Sequence, residues 1–115
     1  MMRGMARTAA TDDARVMRLK ALAHPDRLRM LELLGEPEQF PDNLVDARAV
    51  GICVNDLAKA AGLPQSNASH HLGILERAGL VSCTRHGQWK YARPAGDVLD
   101  GLAAEVQALG RASDT

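Results

Sequence analysis

Long apolar runs are missing from this chain of 115 residues. No stretch approaches the ~18 consecutive apolar residues of a membrane-spanning helix, so no transmembrane segment is expected. The opening Met1-Met2-Arg3-Gly4-Met5-Ala6-Arg7 lacks the apolar core of a secretory signal. Cysteine is scarce as well. Cys53 and Cys83 are too few for a disulfide framework and suit a reducing, cytoplasmic setting. The signatures of common enzyme chemistry are also absent: there is no Gly-rich phosphate loop, no nucleophile elbow and no HExxH. Ser69-His70 is a neighbour pair whose side chains diverge on a helix, so it cannot act as a nucleophile with its base. An enzyme is not expected. The length allows one domain with a single modest core.

Net charge is zero, with 14 Lys and Arg against 14 Asp and Glu. The distribution is uneven. Residues 65–93 carry Arg77, Arg85, Lys90 and Arg93 against Glu76, a formal +3. Residues 35–52 carry Glu36, Glu38, Asp42 and Asp46 against Arg48, a formal −3. A local basic surface is what phosphate neutralisation requires, and the acidic loop is expected to face away from it.

The most specific stretch is Leu63-Pro64-Gln65-Ser66-Asn67-Ala68-Ser69-His70-His71-Leu72-Gly73-Ile74-Leu75. It reads as an amphipathic helix, with Leu72 and Leu75 on one side and Gln65, Ser66, Asn67, Ser69 and His70 elsewhere. Val54-Asn55-Asp56-Leu57-Ala58-Lys59-Ala60-Ala61 reads as a preceding short helix with Asn55 as its N-cap, and Gly62-Leu63-Pro64 as the turn between them. Two helices joined by a Gly-containing turn of about three residues form a helix-turn-helix. Its second helix enters the DNA major groove, led by its N-terminal residues. Short polar side chains there suit close approach to bases and phosphates.

Downstream, Val81–Thr84 and Trp89–Arg93 read as two strands around a turn at Arg85-His86-Gly87-Gln88. In the second strand Trp89, Tyr91 and Arg93 share one face, opposite Lys90 and Ala92. A helix-turn-helix followed by a basic hairpin is a winged helix, and Arg85, His86 and Lys90 would lie beside the phosphate backbone. The fold expected is mainly α with a small β-wing, and Ile52-Cys53-Val54 could pair with the wing sheet.

The remaining segments are simpler. Residues 1–10 and 111–115 read as tails flanking one domain at 11–110. Thr11 is placed to cap a first helix with Asp12 and Asp13 in its first turn. Val16, Leu19, Leu22 and Ala23 form its apolar stripe. His24-Pro25 ends it, and Pro25 opens a second helix with Leu28, Leu31 and Leu34 inward. Gly35 to Gly51 is too polar and too interrupted by proline to continue that helix, and is long for a connection in a compact domain. Asp97–Leu109 reads as a final helix with Leu99, Leu102, Val106 and Leu109 on one stripe. Gly101 permits close approach of a partner backbone there.

Taken together, the chain resembles the ArsR/SmtB family of bacterial winged-helix repressors. The resemblance rests on Lys20-Ala21-Leu22-Ala23-His24-Pro25-Asp26-Arg27-Leu28-Arg29-Met30-Leu31, on Ser69-His70-His71-Leu72 with Leu75, on Ala78-Gly79-Leu80-Val81, and on Gly87-Gln88-Trp89-Lys90-Tyr91. It covers roughly residues 15–109. It implies a homodimer that represses transcription and leaves its operator when an inducer binds, with the first and last helices as the dimer interface. Leu19, Leu99, Leu102, Val106 and Leu109 are the interface residues expected. The 35–51 loop departs from the family's shorter link.

The resemblance also directs attention to metals. The family's final-helix site needs His and carboxylates, whereas here Asp97, Asp100 and Glu105 stand with Gln107 and Ala108 where an imidazole is expected. Carboxylates alone suit such transition metals poorly. The family's other site uses two cysteines one apart, and Asn55 takes the second position after Cys53. One thiolate cannot complete a tetrahedral site. Neither familiar site is whole, and the metal question stays open, including a mixed site of His, carboxylates or termini. Cys53 and Cys83 read either as small buried side chains or as a redox pair. Among the histidines, His24 reads as structural, His70 as facing DNA, His71 as nearer the core, and His86 as solvated or close to phosphate. The alternative from another class is a winged helix used for protein interaction, which predicts an apolar exposed face around residues 65–73.

Overall fold

The computed structural model describes residues 9–111, with side chains from Asp13 onward. Along the described residues the order is α1 (Ala9–Leu22), α2 (Pro25–Leu34), β1 (Ile52–Cys53), α3 (Val54–Ala61), α4 (Gln65–Arg77), β2 (Val81–His86), β3 (Trp89–Pro94) and α5 (Gly96–Arg111), with a 3-10 turn at Pro37–Gln39. Of the expected tails, residues 1–8 and 112–115 lie outside the described residues, while Ala9, Ala10 and Arg111 are helical. Thr11 therefore does not cap α1. The helix already runs through it, because Ala9 and Ala10 are strong helix formers.

α1 stops at the His24–Pro25 junction, since the residue before a proline is pushed out of the helical region. His24 is extended, with φ −156° and ψ 129°, and its Nδ1 accepts the Asp26 N–H at 3.1 Å. This imidazole is thus the N-cap of α2. Met30, Leu33 and Leu34 form the buried face of α2, and Leu28, expected inward, is exposed. Steps of three residues drift about 60° backward per step on a helix of about 100° per residue. A stripe through Leu28, Leu31 and Leu34 therefore turns away from the core at its start.

The helix-turn-helix forms as expected. α3 ends at Gly62, whose left-handed φ of 72° suits glycine. Leu63 N–H returns to Ala58 O at 2.9 Å, which fixes the turn into α4. The N-cap of α3 falls two residues earlier than expected, at Cys53, and the helix begins at Val54. Asn55 therefore sits inside the first turn rather than capping it.

The sheet is antiparallel in the order β1-β3-β2, with Ile52 opposite Ala92 and Cys53 opposite Tyr91. The hairpin is tighter than expected. Its strands pair out to His86 and Trp89, so Arg85 and His86 are strand residues and only Gly87 and Gln88 turn. Gly87 has φ 64°, and no described non-glycine residue has positive φ. A glycine at the first of two turn positions is the mark of a type II′ hairpin, whose twist matches the strands. Because β3 is central, Tyr91 and Ala92 are both buried although they point to opposite faces.

The long loop is ordered by side chains. Phe40 is buried as part of the hydrophobic core. Asn43 Nδ2 donates to Gly51 O at 2.8 Å and to Val45 O at 2.9 Å, while its Oδ1 accepts Cys53 N–H at 2.9 Å. Arg93 donates to Ala49 O at 2.9 Å. Gly51 lies against β3 so closely that a Cβ would meet Ala92 O at 2.5 Å. The loop is thus fastened to the start of β1 and the end of the wing.

Candidate nucleic-acid interface

α4 divides cleanly by burial. Ala68, His71, Leu72 and Leu75 face the core, and Gln65, Ser66, Asn67, Ser69 and His70 are all exposed. The apolar residues recur at three- and four-residue spacing and so share one side of the helix. The helix is held from behind as well. Arg18 Nε on α1 donates to Ala78 O just past the end of α4, at 3.2 Å.

The wing stands beside this face. An open cleft of about 440 Å³ is lined by Val54, Asn55, Gln65, Ser69, Arg85, Gln88, Trp89 and Lys90. It brings together Gln65 and Ser69 of the helix with Arg85 and Lys90 of the wing, four of the residues singled out from sequence. Ser66, Asn67, His70 and His86 do not line it. Asn55, Gln88 and Trp89 do, and sequence reading had not selected them. Asn55 was hidden by its reading as a cap, and Gln88 by its place in a turn.

Electrostatics in the cleft favour an anion. Arg85 and Lys90 are direct cross-strand partners, and like charges in that relation repel. Lys90 Nζ lies 3.9 Å from Glu76 Oε1, which offsets part of the repulsion through a half-exposed pair. A phosphate between the two cations would relieve the rest. Two other groups are less free than expected. The His86 ring stands edge-on to Tyr91 at 5.7 Å between centroids, and Arg93 is directed into the loop.

The expected dimer stripe splits in two. Leu102 is only 3% exposed and belongs to the monomer core, with Leu99 packed against it. Val106 and Leu109 are 44% and 62% exposed. On α1, the stripe expected to be buried is mostly open: Val16, Leu19 and Ala23 are exposed, as is Met17 beside them, while Leu22 is half-buried against the core and Ala21 is buried. Among the described residues α1 meets mainly α2 and α4, so the described part of the chain leaves most of its apolar side uncovered.

Donor chemistry excludes the familiar metal arrangements. α5 offers no histidine, and Cys53 has Asn55 rather than a thiol two residues on. Cys53 and Cys83 lie on β1 and β2, the two outer strands, with β3 between them. Two strand spacings are about 9.6 Å, beyond the ~7 Å limit for a disulfide. Cys53 pairs with Tyr91 and Cys83 with Ala92, which point to opposite faces, so the redox pairing considered above does not fit. Burial, followed by the Glu76 carboxylate, pushes the Cys83 thiol up, and it stays protonated near neutral pH.

One cluster was not visible in sequence. His24, Asp26 and His71 bring three donor atoms within 4.8 Å of one another. His71 Nδ1 faces Arg27 Nη1 at 3.1 Å, and its Nε2 lies 3.7 Å from Asp26 Oδ2. Burial, with the neighbouring His24 and Arg27, holds the His71 imidazole below its ordinary pKa against the opposing pull of Asp26.

Comparison with known proteins agrees with this geometry. A family model described as a helix-turn-helix domain matches residues 22–84. An uncharacterized HTH-type transcriptional regulator from Bacillus subtilis is 35% identical over 86 residues, spanning 73% of this chain and 86% of that protein. Another from Mycobacterium tuberculosis is 40% identical over 93 residues, 80% of this chain and 71% of that one. Among solved structures is the homodimeric winged helix-turn-helix DNA-binding domain of a possible ArsR-family transcriptional regulator from Mycobacterium bovis. It is 34% identical, covers 90% of this chain and 84% of its own, and superposes with a TM-score of 0.65.

Proposed function

The chain belongs to the ArsR/SmtB family of winged-helix transcriptional regulators, and from that premise we propose that it is a homodimeric operator-binding repressor in the cytoplasm. The observation that carries the reading is the cleft in which Gln65 and Ser69 meet Arg85 and Lys90. Gln65, Ser66, Asn67, Ser69 and His70 contact bases and phosphates in the major groove. Arg85, Lys90 and His86 hold the wing to the backbone, and Asn55 and Gln88 join them. A protein-interaction module would expose an apolar surface on α4, whereas its exposed residues between 65 and 70 are polar. No helix among the described residues is long and apolar enough to cross a membrane.

Dimerisation places two recognition helices in successive major grooves, ~34 Å apart. The uncovered apolar residues Val16, Met17 and Leu19 on α1, with Val106 and Leu109 on α5, form the proposed interface. An inducer acting through either familiar metal site of the family is not supported by the residues present. The test is selection of binding sites from a random duplex library, followed by gel-shift titration. A two-fold symmetric site is expected, and Ser69→Ala with His70→Ala should weaken it by about 1–3 kcal/mol per lost base contact while the dimer persists. An unchanged affinity removes this face of α4 from the reading.

A further inference from the structure

The His24, Asp26 and His71 cluster has the spacing of a metal site, but its hydrogen bonds point another way. A ligating imidazole normally donates its second N–H to an acceptor. Here the second nitrogens face donors. His24 Nδ1 accepts the backbone N–H of Asp26, and His71 Nδ1 meets Arg27 Nη1, a group that can only donate. Both Nδ1 atoms therefore carry the lone pair, and the neutral rings hold their protons on Nε2, where a metal would have to bind. The His71 Nε2 proton is directed at the Asp26 carboxylate. The cluster is arranged for neutral imidazoles.

It also spans three elements. Arg27 on α2 donates through Nε to Ala21 O at 2.6 Å and through Nη2 to Lys20 O at 3.5 Å, near the end of α1. The remaining arm of its guanidinium reaches His71 on α4. The His24 and His71 rings lie 4.5 Å apart between centroids. His71 is 8% exposed and turned inward, while the adjoining His70 and Ser69 are exposed on the face assigned to DNA.

We propose that Arg27, His71 and His24 are positioning residues for the recognition helix, forming a latch that holds α4 only while both imidazoles are neutral. Protonation adds a hydrogen to Nδ1, which can then no longer accept. Protonation of His24 removes the N-cap of α2, and protonation of His71 removes the Arg27 clamp on α4. A charged His71 would face Arg27 and His24 from the other elements and His70 on its own helix. The half-exposed Asp26 is its one counter-charge among the groups packed there. The inference rests on α4 being the recognition helix.

The experiment titrates operator affinity by fluorescence anisotropy from about pH 7.5 to about pH 5.5, the range in which histidine changes charge. Added positive charge on the DNA-facing surface alone would strengthen phosphate binding as pH falls. The latch predicts the opposite sign: specific affinity falls, by about tenfold for each unit separating the latched and released pKa of His71, while affinity for unrelated duplex does not fall. His71→Asn and His24→Asn keep an acceptor in place of Nδ1 and cannot be protonated. Each is expected to preserve the affinity near neutrality, each alone to reduce the acid loss, and the double variant to abolish it. Affinity that is flat or rising with acid in the wild type, or an acid loss that survives in the double variant, overturns the latch. Hydrogen exchange of α4 amides in the DNA-free dimer, read over the same range, separates this outcome from a failure of DNA binding itself. Protection should fall with acid in the wild type and not in the double variant. Calorimetry against zinc supplies a further arm, in which stoichiometric binding lost in the double variant would overturn the latch.

Discussion

Asn43 is the clip that turns a long loop into part of the wing, and its replacement gives a prediction with an unusual order. Asn43→Ala removes an acceptor from Cys53 N–H and donors from Gly51 O and Val45 O, bonds of 2.8–2.9 Å. Each contributes about 0.5–1.5 kcal/mol net. Asn43 is half-buried, so water reaches part of what is released, and the sum should be about 2–3 kcal/mol. Asn43→Asp preserves shape and keeps the acceptor for Cys53. It also sets a carboxylate oxygen against two carbonyl oxygens that had received a donor. The isosteric change should therefore cost at least as much as the truncation. Urea unfolding at one fixed protomer concentration checks this, since the stability of a dimer depends on concentration. The midpoint should drop with little change in slope. A loss under about 0.5 kcal/mol for Ala, or an Asp variant as stable as wild type, would refute the clip.

Two further outcomes follow from burial and charge. Leu102→Glu should unfold the chain, because the residue is in the monomer core, whereas Val106→Glu should leave a folded monomer. The latter places a charge in the proposed seam at several kcal/mol per interface, and light scattering with circular dichroism distinguishes the two; a folded dimer with Val106→Glu moves the interface elsewhere. The depressed pKa of His71 sets the sign of a pH effect. The folded chain binds fewer protons there than the unfolded one, so this contribution is present above the unfolded value, ~6.5, and is lost as pH falls through the folded one. The urea midpoint should decline with acid in that window, the decline should be smaller in His71→Asn, and an unchanged decline in that variant would locate the effect at another group.

The helix-turn-helix and wing were legible because their signals are local. Gly62 supplies the left-handed turn, Ala68, Leu72 and Leu75 define one side of α4, and Gly87 closes the hairpin. What stayed hidden depends on distance along the fold. Periodicity put Leu102 and Val106 on one stripe, but a helix advances about 1.5 Å per residue. One turn onward α5 has passed beyond the core, so position along the axis rather than phase decides which leucine or valine is covered. The same limit applies to α1, whose apolar stripe is visible in sequence while its cover is not. The Asn43 clip and the Arg27–His71 contact join residues that no local pattern relates, the latter 44 positions apart. The end of the wing turn was misplaced because Arg85 and His86 look like turn residues by polarity, yet the two-residue Gly87-Gln88 turn lets them pair.

The central claim, that α4 and the wing together grip DNA, is tested most directly by the salt dependence of binding. Anisotropy titrations of operator and unrelated duplex across a range of salt give the slope of log affinity against log concentration, which counts phosphates neutralised. Arg85→Ala with Lys90→Ala should weaken both duplexes alike and lower the slope by about one to two units per subunit. An unchanged slope, or a loss confined to the operator, would contradict the placement of the wing on the phosphate backbone.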